Sequence, residues 1–350
     1  MTENNSICTG IPVEQLDKMK TLNDLTLSPR SLISINHVFN TKIEEGKPIT
    51  NQKSSGRCWI FAYLNQTRIP FMEKYELAEF EFSQAYLFFW DKLERSNYLL
   101  DAFVHYILIY AKRVVYHFGH HSFSPPATIT WEYYNKNKVY HKVDKITPLE
   151  FYKQYVHPCW DVTEMVCLVN DPRANNAYNK LYTVEYLGNV TNGKHVLYIN
   201  QPAEQLKKFA LAQLQDKKSV WFGCDVGKQF QGKQHGVLDL KAHDYKKVFG
   251  CEVQTLNKAE RLIYRESLMT HAMLFTGVNV DGEKTDKWRV ENSWGDEDGD
   301  KGYLVMTDDW FSEYVYEVVI HKKYLPAEIL AILDQNPIVL PAWDPMGSLA

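Results

Sequence analysis

Cys58 closes the run Gln52-Lys-Ser-Ser-Gly-Arg-Cys58 and opens an apolar stretch that holds neither Gly nor Pro as far as Arg68. This order predicts a helix over Cys58–Arg68, stopping ahead of Pro70, with the cysteine in its first turn. The positive end of the helix dipole favours a thiolate at that place. Gly56 lets the chain turn sharply and expose the Cys58 amide. Gln52 can swing its carboxamide NH2 to the same point. Two donors aimed at one spot make an oxyanion hole, which stabilises the tetrahedral intermediate of acyl transfer. Taken alone, a cysteine before an apolar helix is a packing residue. The pattern around Cys58 makes it a nucleophile.

A thiolate in this role needs a base. Among the twelve histidines, His271 lies in the strand-like run Met269–Val280, where one face points to a cleft and the other to a core. Asp281-Gly282 signals a hairpin, and a fold centred there brings position 271 opposite position 292. Position 292 is Asn, in Asn292-Ser-Trp-Gly295. Its side-chain oxygen can accept the imidazole Nδ1–H and fix the tautomer, with Trp294 shielding that bond from water. A lone strand histidine is usually structural; the pairing with Asn-Ser-Trp-Gly points to catalysis.

These residues require two kinds of support. Residues 58–112 read as helix-rich, with a second helix starting after a Ser83 N-cap. Leu99–Ala111 is the most apolar run and reads as a buried helix. From Ala177 onward, Leu181–Leu187, Val196–Ile199, Ser219–Cys224, Met269–Val280, Lys287–Glu291, Gly302–Met306 and Tyr314–His321 read as strands. Ala203–Gln215 is a helix between them, and short helices are expected at Pro12–Met19 and Pro326–Asp334. Helices first and strands later argue an α+β fold with two lobes. The expected division is residues 1–170 carrying the nucleophile, 171–335 carrying His271 and Asn292, and a tail over 336–350. Three prolines and no helical period make that tail extended. It can lie in a groove as a pseudo-substrate, or dock at an interface.

Gln52…Ser55-Gly-Arg-Cys58-Trp59, the His271 strand and Asn292-Ser-Trp-Gly295 resemble the papain-like cysteine peptidases. The 213 positions between Cys58 and His271 exceed the papain spacing and imply insertions. Ser54-Ser-Gly-Arg-Cys-Trp-Ile-Phe-Ala62 and Pro341-Ala-Trp-Asp-Pro-Met-Gly-Ser-Leu-Ala350 are similar to the bleomycin hydrolase family within that superfamily. The resemblance implies a papain-like fold, with a helical left lobe and a β-barrel-like right lobe. It implies a cytosolic aminopeptidase that also hydrolyses the bleomycin amide and homocysteine thiolactone. It further implies a homohexamer, and substrate binding by Trp294 and by the carboxylate of Ala350, which captures the substrate ammonium.

Set against this resemblance, a segment is missing near residues 104–114. No glycine occurs from Arg57 through Phe118, although a peptidase cleft needs a wall where substrate backbone approaches closely. A second reading follows: a catalytically impaired, shortened chain that binds peptides or co-assembles with full-length subunits.

Composition excludes other classes. The net charge of −4 provides no basic field for nucleic acid. The polar N-terminus has no apolar secretory core, and no stretch is long and apolar enough to cross a bilayer, so cytoplasmic residence is expected. The cysteines Cys8, Cys58, Cys159, Cys167, Cys224 and Cys251 show no CxxC spacing and are expected as free thiols. His117, His120 and His121 lack companions for a metal, and Asp296–Asp300 lacks EF-hand spacing, so no metal or cofactor is expected. Aromatic residues make up 14%, which suits large cores or a subunit interface.

Overall fold

The computed structural model describes residues 22–28, 34–44, 46–106, 125–230, 232, 235–282 and 284–348. The helix expected at Pro12–Met19 lies outside them, as does most of the expected junction at 104–114.

A short strand, β1 (Thr41–Lys42), precedes helix α1 (Cys58–Lys74). The expected stop before Pro70 does not occur: Pro70 sits inside the helix. An interior proline costs about 3 kcal/mol in an open helix. Here packing outweighs that cost. Phe71 is fully buried, and its ring meets those of Tyr75, Phe80, Phe82, Trp131 and Phe151 at centroid distances from 4.7 to 6.1 Å. Each such pair adds about 0.5–1.5 kcal/mol beyond area burial. Their sum holds the last turn helical.

Helix α2 (Gln84–Tyr106) begins as expected, with the Tyr86 amide donating to Ser83 Oγ at 3.2 Å. The burial expected from Leu99 onward fails at its first residue, which is 54% exposed. Strands β2 (Ile129–Tyr134) and β3 (Tyr140–Ile146) then form a hairpin that the helix-first reading omits. Its alternate residues Trp131 and Tyr133 pack onto the Phe71 cluster.

The main later elements are the strands of one sheet and two of the helices beside it. They are β4 (Met165–Val169), β5 (Leu181–Val184), β6 (Tyr198–Asn200), helix α3 (Ala203–Gln215), β7 (Val220–Cys224), β8 (Val237–Leu238), β9 (His271–Asp281), β10 (Lys284–Glu291), β11 (Tyr303–Thr307), helix α4 (Asp308–Tyr314), β12 (Val315–His321) and β13 (Ile338–Leu340). The strand order is β13-β5-β6-β4-β12-β7-β9-β10-β11-β8, with β1 added on β9. The expected barrel-like lobe is therefore an open mixed sheet, ending in two short strands. Helix α3 buries Leu206, Phe209, Ala210 and Leu214, a helical stripe, against the sheet core that includes Phe222, Phe275 and Trp288.

The β9–β10 hairpin turns at Asp281-Gly282, and Gly282 has φ +62°, which glycine adopts without strain. Its register differs from the symmetric expectation. Two irregularities shift the pairing, and Glu291 lies opposite Leu274 rather than near His271.

Arg68 ties α1 to this sheet. It is 1% exposed and pairs with Glu291 at 2.8 Å, while Nη1 donates to Pro48 O at 2.6 Å. The pair holds the second half of α1 against the strand that ends beside Asn292.

Candidate active site

Cys58 is the first residue of α1. Gly56 precedes it with φ +67°, and a Cβ there would meet nothing within 4 Å. Its glycine is thus a conformational requirement of the turn, not a steric one. Cys58 is buried against Ala62 of its own helix and Ala272 of β9, with Trp59 and Trp221 alongside. Burial pushes its thiol above the ordinary value, while backbone hydrogen bonds from Ala272, Trp59 and Cys58 itself pull the other way. The helix start favours the thiolate, and burial of the sulfur opposes it. Ionisation at neutral pH then requires a proton acceptor beside the sulfur.

His271 opens β9, level with Cys224 of β7. It is buried, and its Nε2 lies 2.9 Å from Asn292 Oδ1. The contact expected between these residues is present, but through the other ring nitrogen. Asn292 follows the end of β10 and reaches back to the ring. Asn292 Oδ1 also accepts the Ser293 amide at 2.8 Å, which fixes the carboxamide. Trp294 stacks on His271, with ring centroids 4.9 Å apart and planes at 25°. This indole cover keeps water from the His271–Asn292 contact.

Gln52 is positioned by the same segment. Its amide donates to Ser293 O at 2.8 Å, and the Gly295 amide donates to Thr50 O at 3.1 Å. Gly295 has φ +95°, and a Cβ there would lie 2.6 Å from Asn51 Nδ2, so no other residue fits. Residues 50–52 and 292–295, far apart in the chain, are thereby stitched side by side. The Gln52 side chain is 7% exposed, and its Oε1 accepts no hydrogen bond among the described residues.

Gln52, Gly56, Cys58, Trp59, Thr270 and His271 line one cavity of about 280 Å³. An amide-rich helix start, a carboxamide, a thiol and an oriented imidazole in one cavity are the parts of a cysteine-dependent acyl transfer. Trp294 is not among the lining residues; it backs the imidazole. Ala350 lies outside the described residues, but Ser348, two positions earlier, lines the cavity. Asp91, Lys92 and Arg95 of α2 also line it, and sequence reasoning missed them. Their spacing places them on one helical face, a signal that was present but not distinguishable from a solvated surface. None of the described cysteines forms a disulfide, and no group of three or more His, Cys, Asp or Glu among the described residues is arranged to hold a metal. No helix among the described residues is long and apolar enough to cross a membrane.

Known proteins share this arrangement of sequence and fold. The sequence profile of the Peptidase C1-like family matches residues 12–118 and 109–347. Bleomycin hydrolase of Rattus norvegicus is 44% identical, over 94% of this chain and 92% of its own length. The Homo sapiens bleomycin hydrolase shares the same identity and coverage. Aminopeptidase C of Lactococcus lactis subsp. cremoris is 36% identical over 87% of each chain. The crystal structure of PepW from Lactobacillus rhamnosis HN001 superposes with a TM-score of 0.86 at 32% identity, covering 96% of this chain and 94% of PepW. With the profile spanning both lobes and the papain-like arrangement of helix and sheet in place, the chain belongs to the Peptidase C1-like family.

Proposed function

We propose that this chain is a cysteine aminopeptidase of the bleomycin hydrolase type, acting on peptides with a free N-terminus. The observation that carries the reading is the His271 Nε2–Asn292 Oδ1 contact of 2.9 Å under Trp294, in the cavity that Cys58 lines. Asn292 holds the distal edge of the imidazole, so Nδ1 is the nitrogen that takes the Cys58 proton. The thiolate adds to the carbonyl of the first residue. The oxyanion formed is stabilised by the Cys58 amide and the Gln52 NH2. His271 returns the proton to the departing amine as the C–N bond breaks, leaving a thioester. Water, deprotonated by His271, then releases the acid and restores the thiol. No metal or organic cofactor takes part.

The C-terminal arm sets the amino-terminal preference in this reading. Ser348 lies in the cavity, and the Ala350 carboxylate, beyond it, pairs with the substrate ammonium. The bleomycin amide and homocysteine thiolactone are further acyl substrates of the same chemistry, and the enzyme is a cytosolic homohexamer. A Cys58→Ala protein is expected to hydrolyse no aminoacyl fluorogenic substrate and to form no acyl-enzyme. Retained turnover overturns the assignment.

A second reading has its own support. The alignment with the rat relative spans 423 positions, more than the 350 residues of this chain, and the two stretches matched by the family profile overlap at residues 109–118. Both fit a block lost near the end of α2. On that reading the chain is an impaired subunit that binds peptides or co-assembles with longer copies. Titration with an irreversible thiol-directed peptidase inhibitor separates the two, because an impaired cleft labels no faster than a free thiol.

A further inference from the structure

Two arginines hold the last described turn to the sheet lobe: Arg265 donates to Trp343 O at 2.5 Å, and Arg173 reaches Asp344. Arg173, in the loop after β4, forms a two-pronged contact with Asp171: Nε to Oδ1 at 2.9 Å and Nη2 to Oδ2 at 2.7 Å. The same Nη2 lies 2.8 Å from Asp344 Oδ1 in the arm. Asp171 is itself fixed, since its backbone and carboxylate bond to Asn200 and Asn176. Asp171 and Asp344 are 3% and 9% exposed, so this is a sheltered pair of carboxylates around a single guanidinium. Asp344 Oδ1 also accepts the Met346 amide at 2.9 Å and starts the short helical turn Pro345–Gly347. That turn seats Met346 in the core between β5 and Met269, and delivers Ser348, whose hydroxyl donates to Met269 O at 3.0 Å, into the Cys58–His271 cavity.

The rest of the arm is held lightly. Ile338, Val339 and Trp343 are exposed, and β13 pairs only three residues with the edge strand β5. Together with the Arg265–Trp343 bond and the burial of Met346, the Asp344 anchor sets how the turn carrying Ser348 leaves the sheet. We propose that Arg173 is a positioning residue for substrate selection: through Asp344 it aims the end of the arm into the cleft and keeps blocked and internal peptide bonds out. The inference rests on the arm reading given above and adds the latch that makes it work. Arginine suits the task because its planar fork can hold two carboxylates at once, which a lysine point charge does not.

The test compares two reporters on the intact chain, one aminoacyl fluorogenic amide with a free amine and one N-acetylated peptide amide. Loss of a charge-assisted contact of this kind shifts a docked–undocked equilibrium by about tenfold or more. Arg173→Met is expected to raise the kcat/KM ratio of blocked to free substrate by about that factor. The free substrate should show a higher KM with little change in kcat. Asp344→Asn keeps the acceptor and its bonds but loses the charge, and should give an intermediate ratio even where the methionine variant folds poorly. Proportional loss of both activities, or an unchanged ratio in both variants, overturns the proposal. A chain ending at Asp344 separates the two levels: if it cleaves the blocked reporter and Arg173→Met does not, the latch is wrong and the arm reading stands. If it leaves the blocked reporter uncut, the arm reading itself is wrong.

Discussion

At the level of single residues, the proposed oxyanion role of Gln52 can be tested apart from substrate binding. Its backbone is pinned to Ser293, and its buried Oε1 lacks a hydrogen-bond partner among the described residues. Its main chain is fixed, and the carboxamide nitrogen, not the unpartnered oxygen, is the atom that donates to an oxyanion in the proposed mechanism. Gln52→Ala should lower kcat by about 10²–10³-fold with a small effect on KM, since an oxyanion donor acts mainly in the transition state. Steady-state kinetics on the aminoacyl reporter check this, and a KM-dominated loss would assign Gln52 to ground-state binding. Residue types were the most legible part of the site. Cys58, Gln52, His271 and Asn292 stand out because their chemistry is unusual in those contexts. The ring nitrogen that meets Asn292 was not legible, because residue type and spacing do not fix the side-chain torsions of His271.

Elements were legible where one local signal dominated. Ala203–Gln215 matches its expected bounds, because its apolar stripe and flanking strands agree. The end of α1 was misread because Pro70 is a strong local signal that aromatic packing from a distant hairpin overrides. That hairpin, β2–β3, is amphipathic only at its aromatic positions, a pattern that needs the Phe71 cluster to make sense of it. Strand β12 carries a further consequence. Glu317 is buried, and burial raises its carboxyl from 4.5 to about 7, against a weaker downward pull from the Cys167 thiol hydrogen bond. The folded state thus binds this proton more tightly than the unfolded chain. Its effect on stability is most favourable at pH below about 4.5 and is lost as pH rises through about 7. Glu317→Gln should flatten that part of the pH–stability curve. Thermal melts of both proteins between pH 4.5 and 7 measure it, and parallel curves would remove Glu317 as the cause.

For the whole molecule, the two-lobed order of helices then strands was visible in composition, but the joint between lobes was not. One contact across it joins Arg68 Nη2 and Glu291 Oε1 at 2.8 Å, 223 positions apart, and nothing local marks either residue. Arg68→Met should destabilise the fold by about 3–5 kcal/mol, because it strands a buried carboxylate. Chemical denaturation reads this directly, and a loss below about 1 kcal/mol would place the joint elsewhere.

The indole of Trp294 lies flat on the His271 ring, 4.9 Å away centre to centre. A protonated imidazole against an indole face quenches its emission by accepting an electron from the excited ring. Trp294 is therefore a built-in optical reporter of the ring it covers. Subtracting the spectrum of a Trp294→Phe protein from that of the parent removes the other eight tryptophans. The difference should change when an inhibitor occupies Cys58.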